Sequence, residues 1–413
     1  MRIFRSSLSV LALAGASLLY SQKAEKPQEV PIPKNAVTVE QSTVSSTHLA
    51  FPGEEIISEA MLRKDLEFLA SDENRGRQAG DKILETRVTN YLEDIFIELG
   101  LEKPFGRGTS YRQPFIIDWE DIPWEEGKFD KKPLKPSNEN KPRMKSVWYR
   151  DRIAKLYAEF PEEGLSRRPI KTHNLAAIIE GTDEKLKDEY IILCAHMDHI
   201  GIDQLAEPDK DFVFNGADDN GSGVSAALAN VRAFVQAIKK GNGPKRSIII
   251  LLPTAEEMGL LGSEFFVNNP PVNLKQIKGV INIDMLGRNA PDTFSILDSE
   301  LVPKTKDEDE EKLVPNFFHN EHDALLSSLG IKHLVHDLED SRWYSDQWNF
   351  IQAGIPTIFI HEGNPQDSTS GKHAHHKEYH TVGDEVGLID FGKLLQGARL
   401  VFRMANIAAD KEF

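Results

Sequence analysis

From residue 174 onward, short continuous apolar runs alternate with stretches whose apolar residues recur at helical intervals. Runs at 175–179, 190–195, 247–252, 279–283 and 355–360, several rich in Ile and Val, predict strands. Between them, 224–238, 260–267 and 323–329 predict helices, and 388–408 predicts a closing helix. Strands that are apolar without alternation are buried on both faces, and strands interleaved with helices build a largely parallel sheet. The expected fold class is therefore α/β and three-layered, a mostly parallel mixed central sheet flanked by helices on both faces.

Upstream, helical spacing recurs through Met61, Leu62, Leu66, Phe68 and Leu69, and again through Val88, Tyr91, Leu92, Ile95, Phe96 and Leu99. Gly100 follows the second stretch as a helix stop. Residues 23–50 are polar and without period, which predicts a linker or extended arm. The stretch 119–170 opens dense in charge and Pro, then regains a helical pattern at 147–160. It predicts a surface insertion within one domain spanning 51–413. At the N-terminus, Arg2 and Arg5 precede an apolar run at 8–20. That run has the length of a signal-peptide core and falls short of the roughly 20 residues that span a bilayer. The expectation is a cleaved leader at 1–22, a secreted or periplasmic product, and no membrane segment after cleavage.

Composition changes the picture in two places. Asp and Glu number 65 against 49 Lys and Arg, a net charge of −16 that becomes −18 once the two leader arginines are gone. This balance argues against nucleic acid or anionic lipid as a partner. Cys194 is the only cysteine, so no intrachain disulfide is available, and its apolar setting (YIILCA) predicts a small buried hydrophobe.

The candidate chemistry sits where the strands end. The run 190–195 leads into His196, Met197, Asp198 and His199; 247–252 leads into Glu256 and Glu257; 279–283 leads into Asp284. In open α/β sheets, sites form outside the carboxyl ends of the strands, so His, Glu and Asp converge at one edge. A fourth element, 215–223 (NGADDNGSG), combines tight-turning glycines with the carboxylates of Asp218 and Asp219. Taken alone it reads equally as a turn with a helix N-cap. A fifth is His380 in a His-rich loop before the last helix, where His361, His373, His375 and His376 compete and are expected to be solvated. Imidazole and carboxylate together suit zinc, whose catalytic sites keep one position open for water. There is no GxSxG elbow and no phosphate-loop signature.

AHMDHIG, NGADDNGSG, PTAEEMGLLGSEFF, INIDMLGR and EYHTVGDE, in this order, resemble the co-catalytic zinc aminopeptidase family that includes bacterial leucyl aminopeptidase, glutamate carboxypeptidase and glutaminyl cyclase. The resemblance covers about 56–118 and 172–410 and implies the zinc exopeptidase fold, a peptide substrate and two zinc ions per chain. It implies that Asp218 bridges the ions through a cis peptide to Asp219, with His196 and Asp284 completing one site and Glu257 and His380 the other. Glu256 is then the general base, Asp198 the partner that orients His196, and Tyr344 a candidate carbonyl donor unless it only packs. His199 is expected to be structural. The implied activity is an exported aminopeptidase that hydrolyses the N-terminal peptide bond with a water activated between the metals. Alternatives on the same scaffold are a carboxypeptidase or dipeptidase, a glutaminyl cyclase, and a non-catalytic binding module.

Overall fold

The computed structural model describes residues 36–38, 51–118, 169–203, 206, 210–289, 291–302, 312–314, 322–331, 333–336, 344–363 and 376–411. The expected leader at 1–22 lies outside these residues, as do most of the arm at 23–50 and of the insertion at 119–170. Among the described residues no helix is long and apolar enough to cross a membrane.

The centre of the fold follows the apolar runs. Strands β4 (Tyr190–Cys194), β5 (Ser247–Leu252), β6 (Ile277–Ile283) and β10 (Thr357–His361) lie in the order β10-β6-β4-β5 and all run parallel. Strand β3 (Ile170–Ile179) closes antiparallel on β5, and β2 (Arg112–Ile117) on β3. On the other side, β7 (Thr293–Val302) pairs antiparallel with β10, and β8 (Lys312–Val314) pairs with β7 off the main path. Strand β9 (His333–His336) runs parallel to β7, and β1 (Ala36–Thr38), from the expected arm, is its antiparallel neighbour. The sheet is mixed, with its parallel part at the centre.

Alternation along the strands divides the core between two faces, because successive side chains point opposite ways. Ile191, Leu193, Ile248, Ile250 and Leu252 join the larger cluster, with Leu228, Phe234, Leu394 and Phe402. These last come from helices α3 (Gly223–Lys239) and α7 (Phe391–Asp410); α1 (Glu59–Leu69) and α2 (Thr89–Leu99) cover the same cluster. Ile192, Cys194, Ile249 and Leu251 face the opposite way. They pack with Phe266 of α4 (Leu261–Asn268) and Phe350 of α6 (Gln347–Gln352). Helix α5 (His322–Leu329) completes the described α-helices.

Several elements escape the periodicity for identifiable reasons. Strand β3 begins five residues before its apolar run because its polar start is buried with partners. His173 Nδ1 lies 2.6 Å from Glu85 and Asn174 Nδ2 donates to the Gly262 carbonyl at 2.8 Å. Strand β7 buries Ser299 and Asp298 within an apolar strand, which breaks the run that sequence alone detects. The closing helix starts at Phe391 rather than 388, where the Asp390 side chain accepts the Lys393 N–H as an N-cap.

Candidate metal centre

The path of the chain opens a crevice. From β4 it crosses through α3 to β5 on one side, then through α4 to β6 on the other. The direction of winding thus reverses at β4, and the carboxyl ends of β4, β5 and β6 lie at one edge. His196 stands two residues beyond β4, Asp284 directly follows β6, and Glu256 and Glu257 follow β5 by a short loop. All four are buried. The two glutamates are separated by loop geometry rather than strand alternation, since β5 ends at Leu252 and Ala255 adopts φ 56°. Met285 (φ 59°) and His380 (φ 55°) are likewise left-handed, a costly conformation for residues with a Cβ that gathers at functional sites.

The acid at the heart of the site is Asp219, not Asp218. His196 Nε2 lies 3.3 Å from Asp219 Oδ1 and 3.4 Å from Asp284 Oδ1. The other Asp219 oxygen faces His380 Nε2 at 3.1 Å, and His380 Nε2 is 3.2 Å from Glu257 Oε2. Asp218 turns away: its Oδ1 accepts the Gly287 N–H at 2.7 Å and its Oδ2 points to His376 at 3.7 Å. The cis peptide is correspondingly Asp219–Asn220, one position later than the resemblance implies. The physical reason is the turn itself. Asp384, in the loop before α7, accepts the N–H groups of both Asp218 and Asp219 at 3.0–3.1 Å, which sets the direction in which each side chain leaves the backbone. Gly216 (φ 57°) permits the close approach, since a Cβ there would meet the Asp219 carbonyl at 2.2 Å and the His199 ring at 2.5 Å.

Three further residues belong to the site. His199, expected to be structural, places Nδ1 2.6 Å from Glu257 Oε1 and 3.7 Å from Asp219 Oδ2. The buried Arg77 guanidinium donates to the carbonyls of Leu69, Met197, Asn215 and Gly216, tying the end of α1 to the strand tip and the acidic turn. Burial lowers it to about 10, still charged at neutral pH. Asp384 is the third. Each acts through bonds to distant main chain or side chains; AHMDHIG and EYHTVGDE contain His199 and Asp384, while nothing in the sequence marks Arg77. Asp198 is placed differently from expectation. Its carboxylate is 3.7 Å from His196 Nδ1, which meets instead the Asp198 carbonyl at 3.2 Å, while Asp198 Oδ1 accepts the Glu256 N–H at 3.2 Å. Tyr344 is 43% exposed, and Trp348 packs with Leu260, Leu297, Ile351 and Phe359. His361 and His376 are buried rather than solvated; His373 and His375 lie outside the described residues.

Electrostatics follow from crowding acids and imidazoles out of water. Burial pushes the Glu256 carboxyl well above the usual range, opposed by His196 and reinforced by Glu257. Glu257, also buried, is instead held down at about 2 by His380 and His199. His380 rises to about 10, because the attraction of Glu257 and Asp219 outweighs the burial that disfavours its charge. Burial likewise raises the Cys194 thiol well above its normal value, consistent with an inert core position.

The donor set fits divalent cations. His196, Asp219 and Asp284 offer ligand atoms within 4.8 Å of one another, as do His199, Asp219 and Glu257. His196 Nε2 and Asp284 Oδ1 are buried without a hydrogen-bond partner although they face each other. Buried polar atoms seldom remain so unless something else binds them. Mixed imidazole and carboxylate donors suit zinc.

Fold and site together define an α/β protein of the zinc-exopeptidase type, with a buried acid shared by two imidazole–carboxylate sets at the strand tips. The chain belongs to peptidase family M28, whose model matches residues 174–405. It is 31% identical over 158 residues to leupeptin-inactivating enzyme 1 of Streptomyces exfoliatus, covering 38% of this chain and 31% of that protein. It is 26% identical over 267 residues to leucine aminopeptidase 1 of Ajellomyces capsulatus, covering 62% and 63% respectively. The matches thus span less than two thirds of these relatives. The fold is shared with a zinc aminopeptidase from Bacillus subtilis at a TM-score of 0.58, with 17% identity over 88% of this chain and 97% of that one.

Proposed function

We propose that the protein is an exported aminopeptidase that uses two zinc ions and Glu256 to hydrolyse the N-terminal peptide bond. The observation that carries this reading is the Asp219 carboxylate, with one oxygen toward His196 and Asp284 and the other toward Glu257 and His380. Relatives named leucine aminopeptidase support the choice of substrate end. Arg2, Arg5 and the apolar run at 8–20 support export.

Zinc bound by these residues would acidify a water and polarise the scissile carbonyl. The chain's own residues do the rest. Glu256, buried beside the ligands, takes a proton from the attacking water and returns it to the departing amine. Asp198 holds the Glu256 backbone in place through its N–H. His199 holds the Glu257 carboxylate, and Asp384 holds the turn that aims Asp219.

Purified enzyme is expected to release p-nitroaniline from aminoacyl p-nitroanilides, to lose this activity in chelator and to regain it with zinc. Glu256→Ala should keep its zinc while kcat falls by about 10²–10⁴. Turnover by enzyme shown to be metal-free would sink the proposal. Cleavage of N-blocked dipeptides in preference to free ones would transfer the reading to a carboxypeptidase.

A further inference from the structure

We infer that Asp218, Glu362 and His376 form a separate cation site behind the Asp219 centre, one that takes a divalent transition metal of the zinc class. The three side chains come from distant segments: the acidic turn before α3, the end of β10, and the loop that leads to His380. All three are buried, Asp218 and Glu362 completely and His376 to 8% exposure. They offer ligand atoms within 4.8 Å of one another, with Asp218 Oδ2 and His376 Nε2 at 3.7 Å.

The second observation is that these inward-facing atoms have no hydrogen-bond partner outside the cluster, where the Asp218 and Glu362 carboxyls face each other. Asp218 Oδ2, Glu362 Oε2 and both His376 ring nitrogens are buried and unsatisfied. The remaining carboxylate oxygens are engaged, Asp218 Oδ1 by the Gly287 N–H and Glu362 Oε1 by Asn289 Nδ2, each at 2.7 Å. Such contacts fix the plane of each carboxylate and leave one oxygen presented, as at metal sites whose ligands are oriented from outside. Two cations lie near the cluster and act on Glu362 through space, but the contacts shown for them go to other groups. Arg288 pairs with Glu378 at 2.6 Å, and Lys393 Nζ donates to the main-chain carbonyls of Arg288 and Glu362. The donor set of two carboxylates and one imidazole is the kind a divalent ion takes. One nitrogen and two oxygen donors favour zinc or manganese over calcium, which takes six to eight oxygens.

The position gives the site a task. Asp218 adjoins Asp219, and His376 precedes His380 by four residues. A bound ion therefore clasps the loop that carries His380 to the turn that carries Asp219, acting as a positioning element for the centre rather than as a participant in hydrolysis.

The full chain, stripped with chelator and reloaded with zinc, is to be crystallised and mapped by anomalous scattering at the zinc edge. The expected result is a peak at about 2.0–2.2 Å from ligand atoms of Asp218, Glu362 and His376, apart from any density at Asp219. Zinc content should fall by one equivalent in His376→Ala and in Glu362→Gln. A peak at this position supports the inference whatever the Asp219 centre holds. Density at the Asp219 centre alone overturns it and assigns a shared proton to the Asp218–Glu362 pair; unchanged zinc content in both folded variants overturns it as well. The wild-type map decides the question even if a variant fails to fold.

Discussion

Asp218 and Asp219 are adjacent and chemically alike, yet the Asp219 carboxylate meets His196 and His380 while Asp218 bonds Gly287 and faces His376. Nothing in NGADDNGSG separates them, because the choice depends on main-chain direction, and that is imposed by a carboxylate 165–166 residues away, Asp384. Outer partners of this kind cost roughly 10–100-fold in metal affinity when removed. Asp384→Asn is accordingly expected to weaken zinc binding within that range. Asp219→Ala, which removes the shared ligand itself, should exceed about 100-fold. Isothermal titration of chelator-stripped protein compares the two, and near-equal losses would show that Asp219 is not shared between the cations. His199 was similarly hidden. Its neighbour Asp198 draws attention as the expected partner of His196, whereas His199 makes the shorter contact, 2.6 Å to Glu257.

Among the elements, β4, β5 and β6 were readable as apolar runs because strands covered on both faces need no polar residue. Strand β2 lies at the edge and alternates instead, with Phe115 and Ile117 buried and Ile116 57% exposed, so no continuous apolar run announces it. Strand β7 and the start of β3 escape the apolar pattern because buried polar side chains interrupt it, at Asp298 and Ser299 in β7 and at Thr172, His173 and Asn174 in β3. Arg77 is the strongest join between elements. Its guanidinium serves five carbonyls from the end of α1, the β4 tip and the acidic turn, the weakest being that of Asp219 at 3.5 Å. Each buried acceptor left without a donor costs about 1–3 kcal/mol. Arg77→Met should thus lower unfolding stability by on the order of 4 kcal/mol, measured by guanidinium melts of the metal-free protein. A loss below about 1 kcal/mol would mean that water replaces the guanidinium.

For the molecule as a whole, the cations and the protons compete for the same buried groups. In the metal-free state His380 is raised to about 10 and His196 is raised as well, in both cases because nearby carboxylates outweigh burial. With its pKa raised, each imidazole carries a proton that must leave before it can ligate. A raised pKa keeps that proton bound through neutrality, so apparent zinc affinity should rise with pH and fall on acidification. The expected slope between pH 6 and 8 is about tenfold per unit for each proton displaced. Competition against a chelator of known affinity measures it, and a flat profile would show that the imidazoles are neutral before zinc arrives. The net charge of −16 works in the same direction, since an acidic surface raises the local concentration of cations.

By itself the sequence determined the α/β class, the central parallel strands and the delivery of His196, Glu256, Glu257 and Asp284 to one edge. Those features rest on apolar periodicity and on residues placed directly after it, both of which are local. Only the tertiary structure decided that Asp219 takes the central position, that His199, Arg77 and Asp384 join it, and that Asp218 meets Glu362 and His376 behind. These outcomes depend on hydrogen bonds and side-chain directions set between segments far apart in the chain, and such bonds exist only once the sheet has brought the segments together.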